Sequence, residues 1–254
     1  GSLIETARQV EETTTKRLNE RLDMPCLGGR PLADVPKGAH EIKAKVSGYV
    51  QFIYVGQLQK AAEIADINIY VTVNVGSFVV AGDVVAHVTR TIEDTDKISD
   101  SIVLGDLRSF DQDPRFGLLV LGEMASKALS PGINDAGTAI DVMTRLTKVL
   151  GHYKDEADCG PDAKYDRVYI RPMRADELIR SGFSALARDG AQIVEVQIRL
   201  QKAMQSLRSH GDKGMRDAAF DFAKFELARA LDAITFEGDR TRRLAKVEPD
   251  IHQS

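Results

Sequence analysis

Apolar residues open the chain at steps of three and four. Leu3, Ile4, Ala7, Val10, Thr14, Leu18 and Leu22 recur with Glu, Arg and Lys between them, which predicts an amphipathic helix. Met24-Pro25 ends it, because a residue before proline is pushed out of the α region. Pro31, Pro36 and Gly28-Gly29 then predict a linker from Cys26 to Gly38. From Glu41 the period falls to two. Ile42, Ala44 and Val46 alternate with charged residues, Ser47-Gly48 turns, and Tyr49 to Ile53 continues as a strand. Leu58 to Ala65 reads as a short helix. Asn68 to Val75 reads as a strand with Ile69, Val71, Val73 and Val75 on one face. Phe78–Val80 and Val84–Val88 follow as short strands, with Gly76 and Gly82 at tight turns.

The remainder is mainly helical. One helix is expected from Pro114 to Leu129, with Phe116, Leu119, Val120, Met124 and Ala128 on one stripe. A second runs from Asp135 to His152, with Ile140, Met143, Leu146 and Leu150 inward. Three more are expected at 175–188, 191–208 and 213–236, separated by Asp189-Gly190 and by His210 to Gly214. Tyr165 to Ile170, closed by Pro172, is an isolated strand candidate. The expected fold class is α+β: a small β module followed by a mainly α-helical bundle. The chain divides into an opening helix (1–23), a linker (24–39), the β module with its helical insertion (40–92), a mainly helical domain (93–238) and a basic tail expected to fray (239–254).

Composition narrows the classes. With 254 residues, 43% hydrophobic and 28% charged, there is apolar material for a real core. The net charge of −4 argues against a nucleic-acid partner held by phosphate neutralisation. Cys26 and Cys159 lie far apart, outside any CxxC or Cys/His cluster, so a disulfide framework or zinc knuckle is not expected. No stretch reaches the ~18 consecutive apolar residues of a membrane span. Gly1-Ser2 reads as a tag scar, and the abrupt helical start suggests a fragment of something longer. His40, His87, His152, His210 and His252 are scattered, with no HExxH pattern. Arg167, Arg171 and Arg174 could meet an anion, although a solvated face is the commoner outcome for such a run.

Ala44-x-x-Ser47-Gly48-Tyr49-Val50 and Val75-Gly76-x-x-Val79-x-x-Gly82-Asp83 resemble the strands and turns of a biotinyl/lipoyl-carrier type sandwich. A carrier needs an exposed lysine at a hairpin tip, and Val88 is followed instead by Thr91-Ile92-Glu93-Asp94. The module is therefore expected to be structural.

A second resemblance is longer. Arg108-Ser109-Phe110-Asp111-Gln112-Asp113-Pro114-Arg115-Phe116-Gly117 and Ala128-Leu129-Ser130-Pro131-Gly132-Ile133-Asn134-Asp135-Ala136-Gly137-Thr138-Ala139 are similar to the signature of domain-of-unknown-function family 2254. Ser47 to Gln51 and Phe78 to Gly82 also resemble it. The family usually has proline where this chain has Ala136. The resemblance implies a bacterial multi-pass membrane protein whose transmembrane helices precede this region. It makes the opening helix the juxtamembrane connection and implies no known activity.

Two readings of the signature stay open. In one, Asp113 caps a helix begun by Pro114, and Asn134 or Asp135 caps the next with Thr138 beside it. In the other, Asp111, Asp113, Ser130, Asn134, Asp135, Thr138 and Asp141 form a ligand or metal site, for which oxygen-only ligands suit Mg²⁺ or Ca²⁺. About 16 helical residues, ~24 Å, count against a single site. No catalytic residue, cofactor or particular metal is assigned. The leading expectation is an assembly or regulatory domain, homo-oligomeric, without nucleic acid, on the cytoplasmic side of a membrane and linked to transport or sensing. The alternative is a metal- or small-ligand-binding domain or an enzyme using the two Asp/Asn loops.

Overall fold

The opening pattern folds as α1 (Leu3–Asp23), as its spacing predicts. The computed structural model describes residues 2–156 and 162–247, and Cys159 and His252 lie outside them. The chain is α+β and divides into two units, one from Gly1–Leu18, Arg115–Asp155 and Arg174–Ser254, the other from Asn19–Pro114 and Glu156–Met173.

The second unit holds the strands. A five-stranded sheet has the order β1 (Arg30–Pro31), β8 (Val168–Ile170), β4 (Ile69–Val71), β6 (Val84–Val88), β2 (His40–Lys43). A three-stranded sheet has the order β5 (Phe78–Val79), β3 (Gly48–Ile53), β7 (Ile102–Gly105). Helices α2 (Val55–Ala65) and α3 (Asp96–Asp100) join them. Leu58 and Ala62 of α2 share a core with Val50, Ile53, Ile69, Val71, Val85 and Val88. Burying these side chains supplies most of the folding drive, on the order of 2 kcal/mol for each large one.

Three expectations change here. Val168–Ile170 is not an isolated strand. It lies between β1 and β4, parallel to both, with Val168 and Ile170 buried. Its partners are about a hundred residues or more away in sequence, so local pattern could not reveal them. The strand expected from Asn68 to Val75 ends at Val71, and Val73 and Val75 pack against the core from the following loop. The biotinyl/lipoyl likeness is not confirmed: the larger sheet is mixed, and β1 and β8 come from outside residues 40–92.

The first unit is helical. It contains most of α4 (Pro114–Ala128), together with α5 (Ala136–Leu150), α6 (Ala175–Asp189), α7 (Val194–His210) and α8 (Lys213–Ala233). The buried stripe of α5 is Ala139, Val142, Met143, Leu146, Val149 and Leu150, and Ile140, expected inward, is half-buried. Small residues set the closest approaches. A side chain on Gly122 of α4 would collide with the backbone carbonyl of Gly182 on α6, and one on Gly117 would meet the Thr14 hydroxyl of α1. Gln197 donates to the carbonyls of Gly190 (2.9 Å) and Ala187 (3.3 Å), satisfying the end of α6. Within the tail expected after Glu237, residues 239–246 are described. They form short helical turns, Leu244 is buried, and Arg243 pairs with Glu195 at 3.0 Å.

Gly122→Val forces α4 away from α6, since the obstructing atom is backbone. An expected loss of about 1–3 kcal/mol would show as a lower urea midpoint with an unchanged slope. Wild-type behaviour would overturn the close-crossing argument.

Candidate functional site

Each residue of the acidic signature is engaged locally. Asp113 is 2% exposed and pairs with Arg108, whose Nε donates to Oδ2 at 2.8 Å. The pair lies against Gly76, at φ 92, where any Cβ would strike the Asp113 carboxylate. Gln112 sits between the two acids at φ 54 and clamps β3: its Oε1 accepts from the Ile53 N–H at 2.9 Å and its Nε2 donates to the Ile53 carbonyl at 3.3 Å. The Asp111 N–H donates to Ser109 Oγ at 3.1 Å.

The second half of the signature is a turn and a cap. The Ser130 carbonyl accepts from the N–H groups of Ile133 (3.0 Å) and Asn134 (2.7 Å), and Asn134 takes a left-handed conformation at φ 49. Asp135 is the N-cap of α5. It accepts from the Thr138 N–H at 3.0 Å and from the Thr138 hydroxyl at 2.5 Å. The hydroxyl bond first, then the N–H groups of Thr138 and Gly137, hold this carboxylate below its usual range. Asp141 pairs with Arg145 at 2.9 Å. Asp113 precedes α4 and Asp135 follows it, with 15 helical residues between them. Among the described residues, no group of three or more His, Cys, Asp or Glu side chains could hold a metal ion. Arg167, Arg171 and Arg174 are likewise occupied, by Asp66, the Thr72 carbonyl and Asp176.

A concave site does exist in the strand-bearing unit. A cleft of about 720 Å³ opens at the start of α2, within the size range of small-molecule sites. Phe52, Tyr54 and Tyr165 supply aromatic surface, and Met24 and Leu27 extend it. Lys60 and Lys164 bring positive charge, Glu63, bonded to Gln59 at 2.9 Å, brings one negative charge, and Gln57, Gln59 and Gln112 bring amides. Tyr54, the N-cap of α2, makes no side-chain capping bond, and Val55, Gly56 and Gln57 of the first turn line the cleft. Gly56 leaves room for the Tyr165 ring, whose hydroxyl would lie 3.3 Å from a Cβ there. These residues are scattered over the sequence. Only Gln112 lies in the signature, so sequence reasoning passed over the cleft.

One wall is braced by a buried carboxylate. Glu156, fully buried, accepts at Oε2 from Arg21 Nε (2.9 Å) and from the Cys26 N–H. At Oε1 it accepts from Arg21 Nη2 (3.0 Å) and the Met173 N–H (2.5 Å). Arg21 Nη2 also donates to the Arg171 carbonyl at 3.1 Å. This fixes the turn Pro25–Gly28, where Cys26, Leu27 and Gly28 take φ of 52, 54 and 87. That turn places Leu27 in the cleft.

A family model described as "Predicted membrane protein (DUF2254)" matches residues 2–206, most of the chain, which therefore belongs to that family. An uncharacterized protein of Mycobacterium bovis and one of Mycobacterium tuberculosis are each 30% identical to it over 122 residues. The match covers 45% of this chain and 23% of each relative's length. No solved structure matches. No helix among the described residues is long and apolar enough to cross a membrane.

Two measurements probe this geometry. Arg21→Met leaves the Glu156 carboxylate buried without its cation, with an expected loss of roughly 3–5 kcal/mol in denaturant unfolding. A loss below 1 kcal/mol would show that the brace is dispensable. Thr138→Val removes the strongest bond to Asp135, so its carboxylate pKa, followed by NMR titration, rises toward the ordinary ~3.9. The depressed folded-state value means that this cap stabilises above the unfolded pKa and loses its effect as pH falls through the folded one. The stability gap between wild type and variant therefore closes in acid, and a gap unchanged down to the acid transition would refute the assignment.

Proposed function

We propose that, as part of a membrane protein of this family, the chain is a regulatory domain whose α2 cleft binds a small organic anion with an aromatic or apolar body. The observation that carries this reading is the cleft itself: aromatic walls, two lysines and the uncapped N-terminal turn of α2 converge on about 720 Å³. Helix N-terminal amides and ammonium groups favour a carboxylate or phosphate, while rings favour a flat apolar body. The signature loop plays a supporting part. Gln112 holds β3 at Ile53, beside Tyr54, so the loop shapes the cleft floor rather than binding a metal. Occupancy at the cleft would bias the conformation of the domain, and through it transport or sensing by the whole protein. This replaces chemistry at the acidic residues with ligand recognition near them.

The test is a thermal-shift and calorimetric screen of aromatic carboxylates, with the corresponding neutral amides as controls. A carboxylate at a hundred times its Kd adds about 2.7 kcal/mol of stability. Lys60→Gln with Lys164→Gln weakens binding about tenfold or more while leaving the unliganded melting temperature in place, because both side chains sit at the rim. Equal binding of amides and carboxylates, or no binding at millimolar concentration, would reject the anion site.

A further inference from the structure

We infer that the groove between α5 and α7, in the helical unit, is a binding site for a phosphate-bearing anion. Ile140 and Met143 of α5 and Ala203 of α7 form the apolar floor of a hollow of about 360 Å³. Its rim carries Lys148 from α5 and Arg199 and Lys202 from α7, with the hydroxyls of Thr144, Thr147 and Ser206. Arg199, Lys202 and Ser206 follow one another at helical steps of three and four, so they share one face of α7. All three are exposed.

Several exposed cations elsewhere in the same unit are matched by acids on their own helix. Arg8 is matched by Glu5 and Glu12, Arg180 by Asp176, and Lys213 by Asp217. Arg199 and Lys202 have no carboxylate at ion-pair distance among the described residues. The acid one turn before Arg199 is Glu195, which is taken by Arg243 at 3.0 Å. Lys148 does have a partner, Glu11, at 3.0 Å, but that carboxylate is shared with Arg145 at 3.2 Å. Arg145 also has Asp141 at 2.9 Å, so Lys148 is matched, and the uncompensated charge of the rim is that of Arg199 and Lys202.

The polar groups suit an oxyanion. Arg199 offers a planar fork of donors and the lysines offer point charges, a combination that matches phosphate oxygens. The Thr144 and Thr147 hydroxyls already donate to the carbonyls of Ile140 (3.2 Å) and Met143 (2.7 Å). Ser206 makes no hydrogen bond among the described residues, so its hydroxyl is free to donate. The apolar floor leaves room for the carbon chain of a phosphate ester rather than for a bare, fully hydrated ion. A lipid headgroup and a soluble phosphate ester share this chemistry.

The experiment uses the full chain, the variant Arg199→Gln with Lys202→Gln, and a control, Lys127→Gln with Lys224→Gln, that removes equal charge from exposed positions of the same unit outside the groove. All the substituted residues are exposed, so circular dichroism and the melting temperature should match wild type. One arm is co-sedimentation with phosphatidylglycerol vesicles against phosphatidylcholine vesicles. The other is calorimetric titration with glycerol 3-phosphate. Selective vesicle binding that falls about 30-fold in the groove variant and little in the control supports the site with a lipid headgroup as source. Glycerol 3-phosphate binding lost in the groove variant alone, with no vesicle preference, supports a soluble ester. Binding in neither arm, or equal losses in the groove variant and the control, overturns the proposal.

Discussion

A single buried carboxylate organises the strand-bearing unit. Burying an ion costs several kcal/mol unless every lone pair finds a donor, and Glu156 meets that demand with the Arg21 guanidinium and the N–H groups of Cys26 and Met173. Its four bonds join three stretches of chain that share no secondary-structure element: the end of α1, the Pro25–Gly28 turn and the segment after β8. Because β8 lies inside the five-stranded sheet, the same bonds couple the sheet to the turn. Three consecutive residues at positive φ, two of them not glycine, are unfavourable alone. The Glu156 bond to the Cys26 N–H offsets part of that cost and sets where Leu27 meets the cleft.

The signature loop obeys a related rule at the buried Asp113. Arg108 and Asp113 neutralise each other, and Gly76 gives them room against the backbone. Gln112 then bonds to both backbone groups of one β3 residue. A dense polar motif thus does its work on the protein's own backbone. The second half of the motif caps α5 through Asp135 and Thr138, and helix termini need such partners wherever side chains can supply them. The concave surfaces fall elsewhere, in a cleft assembled from α2, β3 and the segment before β8, and in a groove between two helices.

Much of this was legible in the sequence. Periods of three to four gave α1 and α4 to α8 to within a few residues, because each buries one stripe. Alternation gave β2 and β4, the latter too long, and short apolar runs bounded by glycine turns gave β3, β5 and β6. The Asp135 cap followed from residue types that favour helix starts, and the family followed from the long polar signature. What stayed hidden depends on distant partners. Nothing near Glu156 in sequence announces Arg21. Tyr165 read as the start of a strand candidate, and nothing in the local pattern singled out Lys60, Lys164, Arg199 or Lys202.

The sequence by itself therefore determined the long helices, most strands of the β module, the α+β class and the family, which rest on short-range periodicity, turn chemistry and the long polar signature. Tertiary structure alone decided which partners Asp113, Gln112 and Asp135 bond to and that Val168–Ile170 is an inner strand. It also decided where cationic and aromatic side chains converge. The reason is physical: burial and ion pairing are set by neighbours in space, and here those neighbours lie up to about a hundred and fifty residues apart along the chain.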